Sequence, residues 1–445
     1  HHGDMSFSKT AVLLAQKFPG ARRFPYLRGI GQFGDRHGRG AGSPRYISIA
    51  LSPIAKIILP PEDMYILKYV FEDGERCEPL YFCPVVPMSI LESYECPSEG
   101  WRHGSMARNQ KQALAIVDAF IDGDEDIVKA AELITDPDNY GKMTPELQSA
   151  LQVVMEKWPL EMSLDGFDCE IRSFKDADYV FSKYVYEQRT NIVRVLDLPP
   201  GVQTTKYLES INNSAKLSKY VKEAESVSPP KGVDIEIRLL PGAYEEILEN
   251  YGKLDDIDAI EDAFSLRKAY TSYLNYYGLQ GGVLEFAQCY HASLLCWAIE
   301  RRDLYAKRIV RQRILAELRE FEESEIIRYI ESGIDLKKAK NDDEANKILE
   351  KAKFSRIDTN LLQSPKYTEN EDIETLVKSG KNASYGYLMN IQDRQRIKHN
   401  IDLRIKRKEA YAETQAECDK QLAESPTPGG SVWKYEIAQF VKLCN

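Results

Sequence analysis

The sequence predicts a mixed α/β protein made of a compact front domain, a second α/β domain and a pair of long charged helices. Three observations support this class. Residues 1–105 are rich in Gly, Pro, Arg and Tyr between short apolar runs, which is typical of a small domain with polar loops. Residues 233–239 alternate strictly between apolar and polar side chains, the period of a half-buried strand. Residues 283–330 and 386–423 have narrow apolar seams among many charges, which favours long helices that pack along each other.

The front domain, residues 1–105, is expected to contain two helices and a strand. Ala11–Gln16 and Met64–Phe71 are the predicted helices, and Tyr46–Leu51 is the predicted strand. Five glycines lie within residues 31–42, just before that strand. Glycine lets the backbone approach a phosphate closely, so this segment is a candidate phosphate-binding loop.

Residues 106–275 are predicted to form an α/β domain without recognisable chemistry of its own. Gln112–Phe120 has helical periodicity, and Ile192–Leu198 is a strand that Pro-Pro-Gly ends. The acidic run Asp122–Asp126 could suggest a metal site. We interpret it as the start of a helix or a solvated turn, because carboxylates cap free backbone amides there.

The remaining chain is predicted to form an antiparallel coiled coil with a small helical tip. Residues 276–330 and 386–423 supply the arms, residues 331–385 the tip, and residues 424–445 a terminal helix around Trp433–Phe440 that packs back on the body. Two ordinary surface helices are the alternative. The predicted seams consist of Val310, Ile314, Leu318 and Phe321 in one arm and Ile397, Ile401 and Ile405 in the other.

Composition excludes several classes of protein. The chain has 445 residues, of which 43% are hydrophobic, as in ordinary globular proteins. No run of 18 apolar residues exists, so we expect no membrane span. Eight cysteines without Cys-x-x-Cys spacing argue against structural zinc and favour a reduced, intracellular protein. Because the chain opens on His1-His2 without Met, we expect a fragment of a longer polypeptide.

Positive charge is concentrated at the front, although the whole chain has a net charge of −10. Residues 1–47 hold eight Lys and Arg against two Asp, which gives +6 before His is counted. A basic segment on an acidic chain indicates a localised polyanion site, although a solvated basic face would have the same composition. The basic residues are Lys9, Lys17, Arg22, Arg23, Arg28, Arg36, Arg39 and Arg45.

The glycine-rich loop ends in Arg45 and Tyr46, a pair suited to phosphoryl chemistry. A tyrosine can attack a phosphodiester and hold the DNA end covalently. A free phenol has a pKa of about 10 and needs help at neutral pH. A neighbouring guanidinium can hold the phosphate and stabilise its developing charge. Because adjacent side chains of a strand point to opposite faces, Arg45 must reach around or the strand must be irregular.

Several ordered motifs together resemble the cleavage-and-reunion core of type IIA DNA topoisomerases. The resemblance is sharp over residues 1–105 and looser behind, at residues 196–199, 298–308 and 385–388 and at Trp433. The sharp motifs are His1-His2-Gly3-Asp4, Ala15-Gln16-Lys17-Phe18, Gly31-Gln32-Phe33-Gly34, Ser43-Pro44-Arg45-Tyr46-Ile47, the segment from Glu78-Pro79 to Pro87-Met88, and Gly100-Trp101.

The resemblance implies a set of site residues. Tyr46 would be the nucleophile, Arg45 its electrostatic partner, and His2 a contact to the scissile phosphate that supports proton transfer. A remnant of an affinity tag is the alternative for the two histidines. Further DNA contacts would come from His1, Gln32, Arg36 and Arg39.

One departure from the family concerns the segment before Gly100-Trp101. The family has an isoleucine there that wedges between base pairs, and counting back from Gly100 places Pro97 at this position. Proline is a stiff apolar wedge of the kind that other DNA-bending proteins use. The departure resembles the enzymes of large cytoplasmic DNA viruses, of the African swine fever virus type.

The resemblance also implies domain roles and partners. Residues 1–105 would be a winged-helix DNA-cleavage domain, residues 106–275 a tower domain, and residues 331–385 a dimer gate. A homodimer would cut one DNA duplex, leave 5′-phosphotyrosyl ends, pass a second duplex and reseal the first. Mg²⁺ and ATP would bind to domains outside this chain, with no metal ligands within it. The compartment would be a viral factory in the host cytoplasm, or the nucleus.

Two alternatives remain. The first is the DNA-cleaving polypeptide of a bacterial-type gyrase or topoisomerase IV, which usually has a separate DNA-wrapping domain at its C-terminus. The second is a non-catalytic coiled-coil scaffold that binds DNA. The basic, glycine-rich loop that ends in Arg45-Tyr46 argues against this scaffold.

Overall fold

The computed structural model confirms the mixed α/β class and contains a long helix where the charged periodic segment predicted one. The described residues are 3–98, 100–174, 177–252, 257–276, 284–285, 289–357, 384–389, 391 and 401–444.

The strands of the described residues form small antiparallel sheets. Their bounds are β1 Leu27–Ile30, β2 Ser48–Leu51, β3 Tyr69–Glu72, β4 Glu75–Pro79, β5 Tyr94–Ser98, β6 Trp101–Ser105, β7 Glu170–Phe174, β8 Ala177–Phe181, β9 Tyr184–Glu187, β10 Ile192–Val195, β11 Val221–Ser226, β12 Ile235–Leu239 and β13 Arg267–Tyr270. Three hairpins pair β1 with β2, β3 with β4, and β5 with β6. The larger sheets have the orders β11-β12-β10-β9 and β13-β8-β7.

The helices range from single turns to a 43-residue rod. Their bounds are α1 Asp4–Ala15, α2 Pro53–Ile58, α3 Met88–Leu91, α4 Gln110–Asp122, α5 Glu125–Thr135, α6 Pro145–Lys157, α7 Thr204–Asn212, α8 Ala243–Asn250, α9 Ala259–Ala263, α10 Tyr290–Ser332, α11 Asp342–Lys351, α12 Gly386–Met389, α13 Ile401–Leu422 and α14 Gly430–Cys444. None of these helices is long and apolar enough to cross a membrane.

The first hydrophobic core joins the front of the chain to its end. Helices α4 to α6, the start of α10 and α14 pack against apolar residues from the segment 24–91. Trp433 on α14 is fully buried, and its indole N–H donates to the carbonyl of Val85 at 3.0 Å. The core therefore extends across the predicted boundary at residue 105, and a terminal helix packs back on the body.

The second core lies in residues 167–270, which we call the second unit. Its four-stranded sheet packs against α7, α8 and α9. Ile235, Ile237 and Leu239 are buried on β12, whereas the two residues between them are partly exposed. The segment of strict alternation thus forms a strand with one buried face.

The long helices α10 and α13 pack against each other in antiparallel orientation. The guanidinium of Arg404 lies 2.6 Å from a carboxylate oxygen of Glu323, and that of Arg313 lies 2.5 Å from Asp419. A third core at the far end of α10 includes Tyr329, Phe354, Tyr385 and Leu388. The charged rod thus ends in a small packed cluster, which we call the tip.

The contact seam of α13 differs from the predicted one. Its half-buried and buried positions are spaced alternately by three and four, the spacing of a heptad repeat. Ile405 is 39% exposed, and on α10 the predicted Phe321 is 37% exposed, so both lie off the seam. Ile397 falls outside the described residues. The observed seam consists of Ile401, Arg404, Lys408, Tyr411, Gln415, Cys418 and Leu422.

Two local predictions in the front domain are wrong, and the first concerns residues 64–71. They do not form a helix, because Pro61–Tyr65 is a 3₁₀ turn and Tyr69–Glu72 is strand β3. The turn Asp73-Gly74 has positive φ at both residues, the geometry of a tight hairpin. It pairs β3 with β4 and therefore overrides the helical pattern. The second, the start of the strand at Tyr46, concerns the candidate site.

Candidate active site

The glycine-rich loop connects β1 to β2, whose last pair joins Ile30 to Ser48. An isolated bridge between Phe33 and Ala41 draws the two sides of the loop together. The amide of Gly42 donates to the carbonyl of Gln32 at 2.9 Å and closes the stem. These bonds make the loop a defined structure rather than a flexible link.

Arg45 and Tyr46 lie on a 3₁₀ turn, Pro44–Tyr46, and not on the predicted strand, which begins only at Ser48. The amide of Tyr46 donates to the carbonyl of Ser43 at 2.9 Å. Pro44 fixes its own φ at a value that suits the turn and cannot donate a ladder hydrogen bond. Because successive side chains of a 3₁₀ helix are about 120° apart, Arg45 need not reach around the chain.

Both functional side chains are open to solvent. Tyr46 is 79% exposed, and Arg45 is exposed beside it. Neither has a side-chain hydrogen bond or ion pair to any residue that the structure describes. An exposed phenol and an unpaired guanidinium on one turn can meet a phosphate of a large external substrate.

The other predicted contact residues differ in their surroundings. The side chains of Gln32 and Arg39 are exposed on the loop. Arg36 is only 7% exposed, and its guanidinium lies 2.5 Å from Asp197 Oδ1, so a DNA contact would require that ion pair to open. His1 and His2 lie outside the described residues.

Side chains from two other parts of the chain hold the loop. Gln16 at the end of α1 donates its amide N–H to the carbonyl of Phe33 at 2.7 Å. On the opposite side, the amide of Thr205 donates to the carbonyl of His37 at 3.1 Å. Sequence reasoning identified no role for Asp197 or Thr205. The Leu-Asp-Leu-Pro motif around Asp197 was the available signal.

Ion pairs reduce the positive charge that the front segment presents. Four of its eight basic residues have carboxylate partners: Arg22 with Glu92, Arg23 with Asp165, Arg36 with Asp197, and Arg39 with Asp35. The remaining cations have no carboxylate partner among the described residues and are all exposed. They are Lys9, Lys17, Arg28 and Arg45.

Pro97 lies near the end of β5 and is paired across the hairpin with Arg102. Its side chain lies outside the described part. At the base of this hairpin, the hydroxyl of Tyr94 donates to His103 Nε2, and His103 Nδ1 donates to the carbonyl of Asn275 at 3.0 Å. Burial lowers the pKa of His103, so the ring is neutral near pH 7 and can accept from Tyr94.

A cleft of about 750 Å³ separates the β5–β6 hairpin from residues 17–23 and from β13. Lys17, Arg102 and Lys268 line its walls. Burial lowers the pKa of Lys268, whose ammonium group donates to the carbonyl of Pro200 at 3.1 Å. The cleft offers cationic groups on both sides of a channel beside the hairpin.

The acidic run at residues 122–126 does not fit a divalent cation. Asp124 Oδ1 accepts from the amide of Ile127 and caps α5, as its interpretation as a helix start predicted. The ammonium group of Lys157 lies 2.8 Å from carboxylate oxygens of both Asp124 and Asp126. Across the described ranges, no group of three or more His, Cys, Asp or Glu residues could hold a metal ion.

A family model for the DNA-cleaving "A" polypeptide of DNA gyrase/topoisomerase IV matches residues 1–434. The chain belongs to this type IIA DNA topoisomerase family. The recognition made from the loop motifs is therefore confirmed. A non-catalytic scaffold is disfavoured.

Curated relatives favour the topoisomerase 2 type over the bacterial type. The DNA topoisomerase 2 of African swine fever virus, isolate Tick/Malawi/Lil 20-1/1983, is 35% identical over 98% of this chain and 36% of its own length. DNA topoisomerase 2-alpha of Sus scrofa is 28% identical over 47% of this chain and 12% of its own length. The chain thus spans about a third of the viral relatives.

The fold also matches a solved structure. The DNA-binding, cleavage and re-ligation domain of Plasmodium falciparum topoisomerase II superimposes with a TM-score of 0.72 at 18% identity. The match covers 99% of this chain and 55% of that one. It supports the architecture of the whole chain, including the long helices.

Proposed function

We propose that this chain cleaves and rejoins duplex DNA through Tyr46. The phenol oxygen attacks the scissile phosphorus, the 3′ oxygen leaves as a hydroxyl, and a 5′-phosphotyrosyl ester forms. Attack of that hydroxyl on the ester reverses the step and restores the DNA strand. The observation that carries the proposal is the open Arg45-Tyr46 turn at the end of the basic loop in a chain of this family.

The neighbouring residues supply electrostatic support. The guanidinium of Arg45 binds the scissile phosphate and stabilises the charge that builds on it. Gln32 and Arg39 contact the DNA backbone from the exposed side of the loop, and His1 and His2 assist at the scissile phosphate. Lys17 and the cleft beside the hairpin extend this surface, and Pro97 wedges into the minor groove.

The domain roles follow the family resemblance. Residues 1–105 serve as a winged-helix cleavage domain, residues 106–275 as a tower, and residues 331–385 as a dimer gate at the end of the coiled arms. Two copies cut one duplex and pass a second. Mg²⁺ and ATP bind to other domains of the enzyme, and they supply metal-assisted phosphoryl transfer and the energy for strand passage. The enzyme works inside cells, in a viral factory if it is viral, or otherwise in the nucleus.

The direct test is formation of a covalent protein–DNA complex on denaturing gels, using the full-length enzyme that carries this chain. Tyr46→Phe should abolish the complex and leave DNA binding near normal, because only the nucleophilic oxygen is removed. Arg45→Ala should slow cleavage by about 10²- to 10³-fold, as loss of a comparable charge-stabilising donor does. Tyr435→Phe, at another exposed tyrosine, is the matched control. A Tyr46→Phe enzyme that still forms the complex would refute the assignment.

A further inference from the structure

The tip of the glycine-rich loop is docked on a distant part of the chain through three consecutive residues. The Arg36 guanidinium donates to Asp197, 161 positions later. The carbonyl of His37 accepts from the amide of Thr205. A Cβ on Gly38, whose φ is +104°, would lie 2.4 Å from Thr205 Oγ1. The loop backbone therefore approaches α7 as closely as only glycine permits.

Asp197 is organised to receive a guanidinium. Its Oδ1 accepts from its neighbour's amide, Leu198 N, at 2.8 Å, and its Oδ2 accepts from Asp168 N at 2.6 Å. The guanidinium carbon of Arg36 also lies 5.1 Å from the ring centre of Phe167. Both charged side chains are less than 10% exposed. Since the carboxylate is fixed by backbone bonds of the second unit, Arg36 must follow any movement of that unit.

Tyr46 itself has few contacts that fix its position. It is 79% exposed, and its position depends on the stem bond between Gly42 and Gln32. A further bond from the amide of Asp35 to the carbonyl of Arg39 ties the tip of the loop to its returning side. Displacement of residues 36–38 is therefore transmitted along a short, cross-linked segment to the turn that carries Tyr46.

We propose that Arg36 is a positioning residue for the cleavage reaction, acting with Asp197 as a latch by which the second unit sets the location of Tyr46. The proposal rests on the proposed function and replaces the expected DNA contact of Arg36 by an internal one. Movement of the second unit against a bent duplex shifts the loop. The enzyme thereby aligns its nucleophile only when the second unit is correctly seated on DNA.

The latch makes Arg36 and Asp197 behave as one functional unit. In single-turnover cleavage by the full-length enzyme, Arg36→Gln and Asp197→Asn should each lower the rate about 10- to 100-fold, as expected for a misplaced nucleophile. The double variant should be no slower than the slower single variant, because both remove one interaction. Lys222→Gln, an exposed change on the second unit, should cleave at the wild-type rate.

Salt dependence of DNA binding separates the latch from a phosphate contact. The slope of log affinity against log salt counts phosphate contacts, at about 0.9 per contact. It should stay unchanged in Arg36→Gln and Asp197→Asn, and should fall by about one contact in Arg39→Gln. A lower slope in Arg36→Gln together with normal cleavage in Asp197→Asn would overturn the latch and make Arg36 a DNA contact.

A milder variant guards against loss of folding. Arg36→Lys keeps the charge but lacks the planar guanidinium fork, so it should also slow cleavage without changing the salt slope. Hydrogen exchange should show a faster-exchanging Gly42 amide and unchanged protection of α4. An Arg36→Lys enzyme with the wild-type cleavage rate would contradict the latch. Absence of a covalent complex in the wild-type enzyme would instead refute the proposed function.

Discussion

At the scale of single residues, exposure and isolation distinguish the candidate nucleophile from the many other tyrosines. Desolvation raises the pKa of several buried phenols, including Tyr26, to about 12, and so disfavours their ionised form. Tyr46 lies instead in open solvent, next to a guanidinium without a carboxylate partner among the described residues. Reactivity at Tyr46 thus requires the substrate to complete the site.

Two buried histidines make the stability of the fold depend on pH. Burial lowers the pKa of both His103 and His291, whose rings bind the carbonyls of Asn275 and Trp158. The unfolded chain, with a histidine pKa of about 6.5, binds more protons at acid pH. The free energy of unfolding should therefore be fully retained above about pH 6.5 and fall as the pH drops towards about 5.

Thermal unfolding at both pH values tests this. His103→Gln should lose less melting temperature between the two than the native chain does, whereas the exposed control Tyr435→Phe should behave like the native chain. An unchanged pH dependence in His103→Gln would mean that this ring does not contribute.

Residue types that carry chemistry could be predicted from the sequence, but their partners could not. The order of the loop motifs identified Arg45 and Tyr46. Which of the basic residues are neutralised depends on carboxylates far away in sequence, such as Asp197 for Arg36 and Asp165 for Arg23. No local pattern contains that information.

At the scale of elements, local chemistry overrode periodicity in two places. Pro44 placed Tyr46 on a turn, and Asp73-Gly74 converted a helical pattern into a hairpin. Both signals are visible in the sequence. On α13, by contrast, isoleucines spaced by four suggested a seam that includes Ile405. The actual seam follows a heptad repeat with Arg, Lys and Gln, because ion pairs with α10 accept polar residues there.

The β5–β6 hairpin is the element that should bend DNA. Pro97→Gly removes the wedge but no charge, so the bend angle and cleavage should fall while the salt dependence of binding stays unchanged. The exposed neighbour Cys96→Ala is the control. Fluorescence energy transfer between labels on the two DNA ends measures the bend. Wild-type bending by Pro97→Gly would leave Pro97 as a stiffener of a surface loop.

The terminal helix should contribute strongly to the first core. Trp433 is fully buried and packs near the rings of Phe120, Trp297 and Tyr305. Trp433→Ala should therefore lower the free energy of unfolding by about 3–5 kcal/mol. Tyr435→Ala, on the exposed side of the same helix, should change it by less than about 0.5 kcal/mol. Denaturant titration of both variants makes the comparison, and equal effects would refute the packing argument.

At the scale of the whole molecule, the order of parts could be predicted because each has its own pattern. The extent of the first core could not, since residues near both ends of the sequence meet in it. The long helix α10 begins in that core and ends in the tip, about 65 Å away at 1.5 Å per residue over 43 residues. A separation of this size leaves room for a duplex between body and tip.

The proposed dimer gate predicts a change of assembly without a change of the body. A variant in which a short Gly-Ser link replaces residues 331–385 should form weaker dimers, as measured by light scattering over a range of concentrations. Circular dichroism should show that the remaining helices persist. Unchanged dimerisation would place the principal dimer contact elsewhere.

The most direct measurement of the central claim is the chemical identity of the protein–DNA bond. Covalent complexes trapped by denaturation are digested with nuclease and trypsin, and the nucleotide adduct is located by mass spectrometry. Cleavage after Arg45 and Lys56 releases a peptide with a single tyrosine, Tyr46, and two serines, Ser48 and Ser52. The account predicts a 5′-nucleotide on Tyr46, and an adduct on either serine or on any other peptide would contradict it.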